Sequence, residues 1–174
     1  MTEQILINKN SIHSPYPISF STVDIICLDL EREKMLLGKK PHKDTWCFPG
    51  GFTDPSSNSD EEDAARELLE ECNIKISPNQ MKYIGNFKID DDRYRHTIHG
   101  IRTHLFYCVN DSEKFPGKAG DDLEEIVWID YFDLVDGKKT IYDQFNGRYI
   151  ANNHRPLMQK IVEILKLNYS EAYF

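Results

Sequence analysis

The sequence has no excess of basic charge: 21 Lys and Arg face 29 Asp and Glu, a net charge of −8. A chain this acidic lacks the field that draws in nucleic acid or an anionic membrane surface, so neither is an expected partner. Small anionic substrates stay open, because a bound metal reverses the local sign. No apolar run approaches the ~20 residues of a membrane span. The first ten residues, Met1 to Asn10, are too polar for the apolar region of a secretory signal. The cysteines, Cys27, Cys47, Cys72 and Cys108, include no CxxC pair and have no His at zinc-finger spacing, which argues against a zinc site. Scattered thiols of this kind fit reduced cysteines in a cytoplasmic setting. Internal repeats and low-complexity segments are also missing. With 40% hydrophobic and 29% charged residues, the chain is neither disordered nor collagen-like. Its 174 residues suit one domain. A domain of that size buries roughly two thirds of its unfolded surface and needs no staples.

Residues 1–20 form a polar lead with Pro15 and Pro17, either an arm or an edge strand. Residues 21–174 read as a single domain. The run from Thr22 to Leu30 is strand-like. A turn at Glu31–Lys34 leads into a returning strand, Met35 to Gly38. After a polar loop, Lys39 to Thr45, a short strand at Trp46–Phe48 is broken by Pro49-Gly50-Gly51. Ser59 to Cys72 is the clearest helix. Ser59 with Glu62 makes a capping box, and Asn73 tolerates the left-handed conformation that ends helices. Further strands are expected at Met81–Ile89, Gly100–Asn110 and Glu125–Asp130, with polar loops between them. Arg155 to Leu167 reads as an amphipathic helix with Leu157, Met158, Ile161, Ile164 and Leu165 on one side. A mixed sheet with few helices makes the class α/β or α+β.

On a wheel of about 100° per residue, Ala65, Leu68, Leu69 and Cys72 share the core side of the first helix. Asp60, Asp63, Glu67, Glu70 and Glu71 share the other. Glu67, Glu70 and Glu71 stand at i, i+3 and i+4, a spacing at which like charges destabilise a helix. They also sit near its C-terminal end, where the dipole is already negative. The helix itself contains no Lys. A solvated acidic face is one account; a divalent cation resolving both conflicts is the other, since such conflicts gather at functional sites. Mg²⁺ takes oxygen ligands and completes its shell with water or substrate phosphates.

The wider segment decides between them. Trp46-Cys47-Phe48-Pro49-Gly50-Gly51-Phe52 precedes Arg66-Glu67-Leu68-Leu69-Glu70-Glu71-Cys72-Asn73-Ile74. This closely resembles the signature of the Nudix hydrolases: Gly, five residues, Glu, seven residues, then R-E-apolar-x-E-E-x-G-apolar. Two positions depart from it. The first Glu of the signature falls on Asn58, with Gly51 one residue too far upstream, and the last Gly is Asn73. That Glu normally braces the Arg, and Asp60 or Glu62 is the expected substitute here. The resemblance implies an α/β/α sandwich with a mixed β-sheet. It implies hydrolysis of a nucleoside diphosphate linked to another group. Glu67, Glu70 and Glu71 would hold Mg²⁺, with Mn²⁺ a substitute and a backbone carbonyl near Gly51 assisting, and Arg66 would orient the glutamates.

Outside this signature the likeness is to ADP-ribose pyrophosphatases. It is greatest to the Nudix domain fused to nicotinamide mononucleotide adenylyltransferase in some bacteria and phages. It rests on Leu36-Leu37-Gly38-Lys39-Lys40, the Asp92-Arg93 region, Arg102 to Phe106, Gly120 to Trp128, and Asn153 to Leu157. The implied reaction converts ADP-ribose to AMP and ribose 5-phosphate. Arg93, Arg95 and Arg102 are candidates for phosphate, whose oxygens match a guanidinium, or belong to a solvated loop. Lys39 and Lys40 carry the same two readings. Phe52 is a candidate for a nucleotide base or for turn packing. Asp121 or Asp122 suits ribose hydroxyls, and Glu125 or its neighbour Glu124 suits a general base or a further metal ligand. Trp128 reads as core, and His154 as a helix-start residue. Related enzymes are often homodimers. Other substrates in the same class are nucleoside triphosphates, NADH, dinucleoside polyphosphates and capped RNA ends, the last disfavoured by charge. A nucleotide-sensing module without catalysis is the reading from a different class, and it usually accompanies loss of the carboxylates retained here.

Overall fold

The computed structural model describes residues 17–131, 149–154, 156–158, 160, 161 and 163. The lead, up to residue 16, and the expected helical positions Ile164 and Leu165 lie outside the described residues. Among the described residues, eight strands form one mixed sheet: β1 (Ser19–Asp29), β2 (Lys34–Lys39), β3 (Thr45–Cys47), β4 (Gly50–Phe52), β5 (Lys82–Ile89), β6 (Gly100–Val109), β7 (Glu125–Asp130) and β8 (Tyr149–Ile150). Their path is β5-β6-β1-β2-β3-β8, with β4 attached to β1 and β7 to β2.

The central strand is β1, and its near-continuous apolar run suits burial on both faces. Val23, Ile25 and Cys27 point into one core; Ile26 and Leu28 point into the other. One edge pairs in parallel with β6, from Ser19 opposite Gly100 to Leu28 opposite Val109. The other edge is shared. β4 takes its start, with Val23 opposite Gly51, and β2 takes its end, with Leu28 opposite Met35. The sequence reading ended a strand at Pro49-Gly50-Gly51 and missed β4. The strand exists because Gly50 has no side chain. A Cβ there would stand 2.1 Å from the Val23 carbonyl oxygen, at a φ of +154°. Gly50→Ala should therefore lower stability by about 2 kcal/mol or more, the scale of overpacking against backbone, measurable as a fall in the urea midpoint. An unchanged midpoint would show that β4 yields freely.

The helix α1 (Asp60–Cys72) covers one face. Ser59 caps it, its Oγ accepting the Glu62 N–H at 3.3 Å. The expected return bond of the capping box is displaced by one residue. The Glu62 carboxylate accepts from the Asn58 N–H at 3.1 Å and from Asn58 Nδ2 at 3.0 Å. Asn73 ends the helix at φ 53°, as expected. Ala64, Leu68 and Cys72, one row at i, i+4 and i+8, are fully buried against the sheet. This roll corrects the wheel: Leu69 is 43% exposed, whereas Asp63, Glu67 and Glu71, the adjoining row, are buried. Helical residues 156–158, 160, 161 and 163 lie over the opposite face, where Leu157, Met158 and Ile161 enter its core. Helices thus flank the sheet on both sides, giving the expected α/β/α arrangement.

At the far end of β1, Asp29 is buried and ties two loops together. Its Oδ1 accepts the N–H groups of Glu31 and Arg32, and its Oδ2 accepts the N–H and the hydroxyl of Ser112. Burial alone would raise the Asp29 pKa, but the donors from Ser112 and Arg32 outweigh it and hold it at about 2. A carboxylate depressed by folding stabilises above its unfolded value of about 3.9. That contribution is lost as pH falls from about 4 through about 2. Asp29→Asn should lower the melting temperature at pH 7, by an amount corresponding to about 1–2 kcal/mol, and flatten this acid limb. Parallel acid limbs in the two proteins would rule the role out.

Candidate active site

The acidic row of α1 faces β4 and is organised by one guanidinium. Arg66 Nη1 donates to Glu67 Oε1 at 2.6 Å and to Glu70 Oε2 at 3.0 Å. Its Nη2 donates to the Phe52 carbonyl at 3.1 Å and to Asp63 Oδ1 at 3.0 Å. Burial opposes the charge on Arg66, but hydrogen bonds and attraction from Asp63 and Glu67 raise its pKa above the ordinary value. Burial likewise raises Glu67, and Arg66 works against that shift. Glu67 also lies against β4: a Cβ on Gly51 would stand 2.5 Å from Glu67 Oε2.

Glu71 forms the inner end of the row. Its Oε2 accepts the Gly50 N–H at 2.7 Å, and its Oε1 lies 3.5 Å from Lys40 Nζ. Lys40 bridges on to Asp122 Oδ2 at 2.6 Å. Burial pushes the Glu71 carboxyl up to about 9, aided by its hydrogen bond with Asp122, while Lys40 and the Gly50 N–H pull the other way. The charge conflict seen in the sequence is thus met by cations: Arg66 from the same helix and Lys40 from the end of β2.

The loop before β7 resolves the helix-end conflict as well. Its backbone donates to the last carbonyls of α1, Gly120 N–H to Glu71 at 2.9 Å and Lys118 N–H to Cys72 at 2.8 Å. These bonds satisfy acceptors that a helix C-terminus leaves open. Docking is close because Gly120 is bare: a Cβ there would stand 2.7 Å from the Glu70 carbonyl oxygen. This docking carries Asp121 and Asp122 to the carboxylate row.

The other candidates divide. The Arg93 guanidinium centre lies 5.2 Å from the centroid of the Phe52 ring, which is partly exposed. Arg93 is held by Asp91 through two bonds of 2.9 and 2.8 Å. Arg95 pairs with Asp90 and Asp92, and Arg102 donates to Asn86 across β5 and β6 at 2.8 Å. The three arginines therefore do not form one cluster; only Arg93 adjoins the acidic row, through Phe52. Lys39 and Glu125 face one another across β2 and β7 at 3.6 Å, with Glu124 at 3.9 Å from the same Lys. Trp128 packs at the α1 core and donates Nε1–H to Pro116. His154 closes a short 3-10 turn and accepts the Phe48 N–H at 3.2 Å.

Two participants escaped the sequence reading. One is the Gly50 N–H, a backbone donor with no sequence signal of its own. The other is Asp63. Neither expected brace for Arg66 forms, because Asp60 pairs with His104 at 2.6 Å and Glu62 with Asn58. Asp63 meets Arg66 instead, and the acid–Arg spacing of i, i+3 on a helix was its available signal.

Among the described residues, no three acidic, His or Cys side chains converge as a ready cage for a metal ion. Their carboxylates turn instead to Arg66, Lys40 and the Gly50 N–H. The donor chemistry nevertheless fits a hard divalent cation. Only oxygen ligands are offered, and such an ion commonly takes one or two carboxylates and fills its shell with water and phosphate. No helix among the described residues is long and apolar enough to cross a membrane.

Residues 20–152 match the family model of the NUDIX domain. The chain belongs to the NUDIX domain family. No curated protein matches it in a sequence search. Among solved structures, it is similar to a MutT/nudix family protein from Enterococcus faecalis, at 26% identity and a TM-score of 0.56. That match covers 70% of this chain and 47% of the other. A bifunctional NMN adenylyltransferase/ADP ribose pyrophosphatase from Francisella tularensis, complexed with AMP and a Mn ion, is 23% identical with a TM-score of 0.57. There 87% of this chain and 42% of the other are covered. The chain thus spans less than half the length of these two proteins, and the likeness lends no support to an adenylyltransferase part. The NUDIX domain of Shewanella oneidensis NrtR, complexed with ADP ribose, is 18% identical with a TM-score of 0.64, covering 95% and 99%. At these identities the last two likenesses show the fold.

Proposed function

We propose that this chain is a divalent-metal-dependent pyrophosphohydrolase that cleaves ADP-ribose to AMP and ribose 5-phosphate. The observation that carries the reading is the row of Glu67, Glu70 and Glu71 on α1, set against Gly50 and Gly51 and bordered by Lys40, Arg66 and Arg93. Likeness to a NUDIX domain crystallised with ADP ribose, and to a bifunctional NMN adenylyltransferase/ADP ribose pyrophosphatase crystallised with AMP and a Mn ion, supports the choice of substrate. The three glutamates would hold Mg²⁺, or Mn²⁺ in its place. Bound there, the ion supplies neutralisation of the pyrophosphate, polarisation of P–O and a more acidic water. Arg66 orients Glu67 and Glu70 toward that task. Lys40 offsets the charge of Glu71 and Asp122 and lies where phosphate oxygens would approach. Phe52 offers a ring face and Arg93 a guanidinium to the nucleotide. Four free buried thiols among the described residues are consistent with a reducing, cytoplasmic setting.

The test is a panel of ADP-ribose, NADH, diadenosine polyphosphates and nucleoside triphosphates with Mg²⁺ or Mn²⁺, followed by product chromatography. Release of AMP and ribose 5-phosphate, abolished by a chelator, is the expected result. Binding of ADP-ribose with no cleavage of any member would instead favour the sensing module.

A further inference from the structure

We infer that Asp63 is the positioning residue that braces Arg66, in the role the resemblance assigned to a carboxylate at position 58. The inference rests on the reading of Glu67 and Glu70 as metal carboxylates. Position 58 is Asn, and its side chain is engaged with Glu62 on the exposed side of the helix start. Asp63 is 1% exposed, and its Oδ1 is a hub. It accepts from Arg66 Nη2 at 3.0 Å, from the Asp54 N–H at 3.1 Å and from Ser57 Oγ at 2.7 Å. A buried carboxylate needs a cation and donors, and here one atom receives both. The same guanidinium reaches Glu67 and Glu70 with its other nitrogen. A rigid planar fork transmits orientation: fixing Nη2 on Asp63 and on the Phe52 carbonyl fixes where Nη1 presents itself to both glutamates. Three donors from the 54–57 loop and from α1 thus converge on Asp63, and the loop insertion before Arg66 and the loss of the acid at position 58 are met by one substitute.

Outer-shell partners of this kind tune metal affinity, so the experiment reads Mn²⁺ binding directly. Free Mn²⁺ is titrated by paramagnetic resonance against the full chain, Asp63→Asn, Arg66→Gln and the double variant, with melting temperatures for each. Asp63→Asn is expected to weaken Mn²⁺ about tenfold in the otherwise unchanged chain. In the Arg66→Gln background it should change it by less than about twofold, because residues acting through one another are not additive. No weakening overturns the inference. Equal weakening in both backgrounds also overturns it, since that is what a purely structural anchor for the 54–57 loop produces. If Asp63→Asn does not fold, Asp63→Glu, which keeps the charge and displaces the oxygens, is held to the same comparison. The wild-type substrate panel is independent: coupling seen in Mn²⁺ binding without any cleavage would sink the proposed reaction and leave the brace standing.

Discussion

Glu71→Gln and Glu70→Gln should each cut kcat by about 100-fold or more, while the fold is retained. The magnitude follows from removing a carboxylate that would hold the ion, since loss of even an outer-shell partner costs a metal site about 10–100-fold. The two variants should differ in stability. Glu71 is buried, and burial raises its pKa to about 9. Burial favours the uncharged form of this group, so a neutral amide of the same shape, which can still accept the Gly50 N–H, should leave the melting temperature unchanged or higher. Glu70 is half exposed and pairs with Arg66. Losing such a pair costs about 0.2–1 kcal/mol. Loss of activity with retained or increased stability separates a site residue from a structural one. Turnover at the wild-type rate in both variants would sink the site as drawn, whichever nucleotide is the substrate.

The parts of this molecule that were legible in its sequence are those set by local chemistry. The α1 boundaries followed from Ser59 and Asn73, and β7 from an apolar run between polar loops, because caps and periodicity act within a few residues. The R-E-x-x-E-E row was readable as a charge conflict before any fold was known. What stayed hidden depends on contacts distant in sequence. β4 is three residues long and pairs with β1, so a Pro-Gly-Gly reading could only end a strand there. Leu69 was placed inward because the wheel gives a helix two sides but not its roll against a sheet. Lys40 lies 31 residues from Glu71, which is why the row looked uncompensated. The Arg93, Arg95 and Arg102 grouping came from closeness in sequence and from resemblance; the strand pairing of β5 with β6 gives Arg102 a different neighbour, Asn86.

ADP-ribose should be cleaved with a kcat/KM about ten- to a hundredfold above that of any nucleoside triphosphate. The argument begins with what borders the acidic row on its open side. Asp121 and Asp122 are exposed there, on a loop docked to the end of α1, and Asp122 already takes Lys40 at 2.6 Å. Carboxylates accept hydrogen bonds readily from ribose hydroxyls. A triphosphate has a third phosphate where ADP-ribose has its second ribose. It would offer those carboxylates no hydroxyl and set negative charge against them. A lost hydrogen bond to a charged group costs about 1.5–3 kcal/mol, which is the stated range in rate if the contact persists in the transition state. Arg93 sharpens the test, because its guanidinium already adjoins Phe52 whereas Arg102 is held at Asn86. Arg93→Ala should lower ADP-ribose cleavage about tenfold, as expected for one charge-assisted contact to phosphate, and by more than Arg102→Ala does. If dATP or GTP exceeds ADP-ribose in kcat/KM, the carboxylates of the 121–122 loop do not select a ribose. The Nudix hydrolase would then act on a triphosphate, with Lys40 and Arg93 the residues left to meet its added charge.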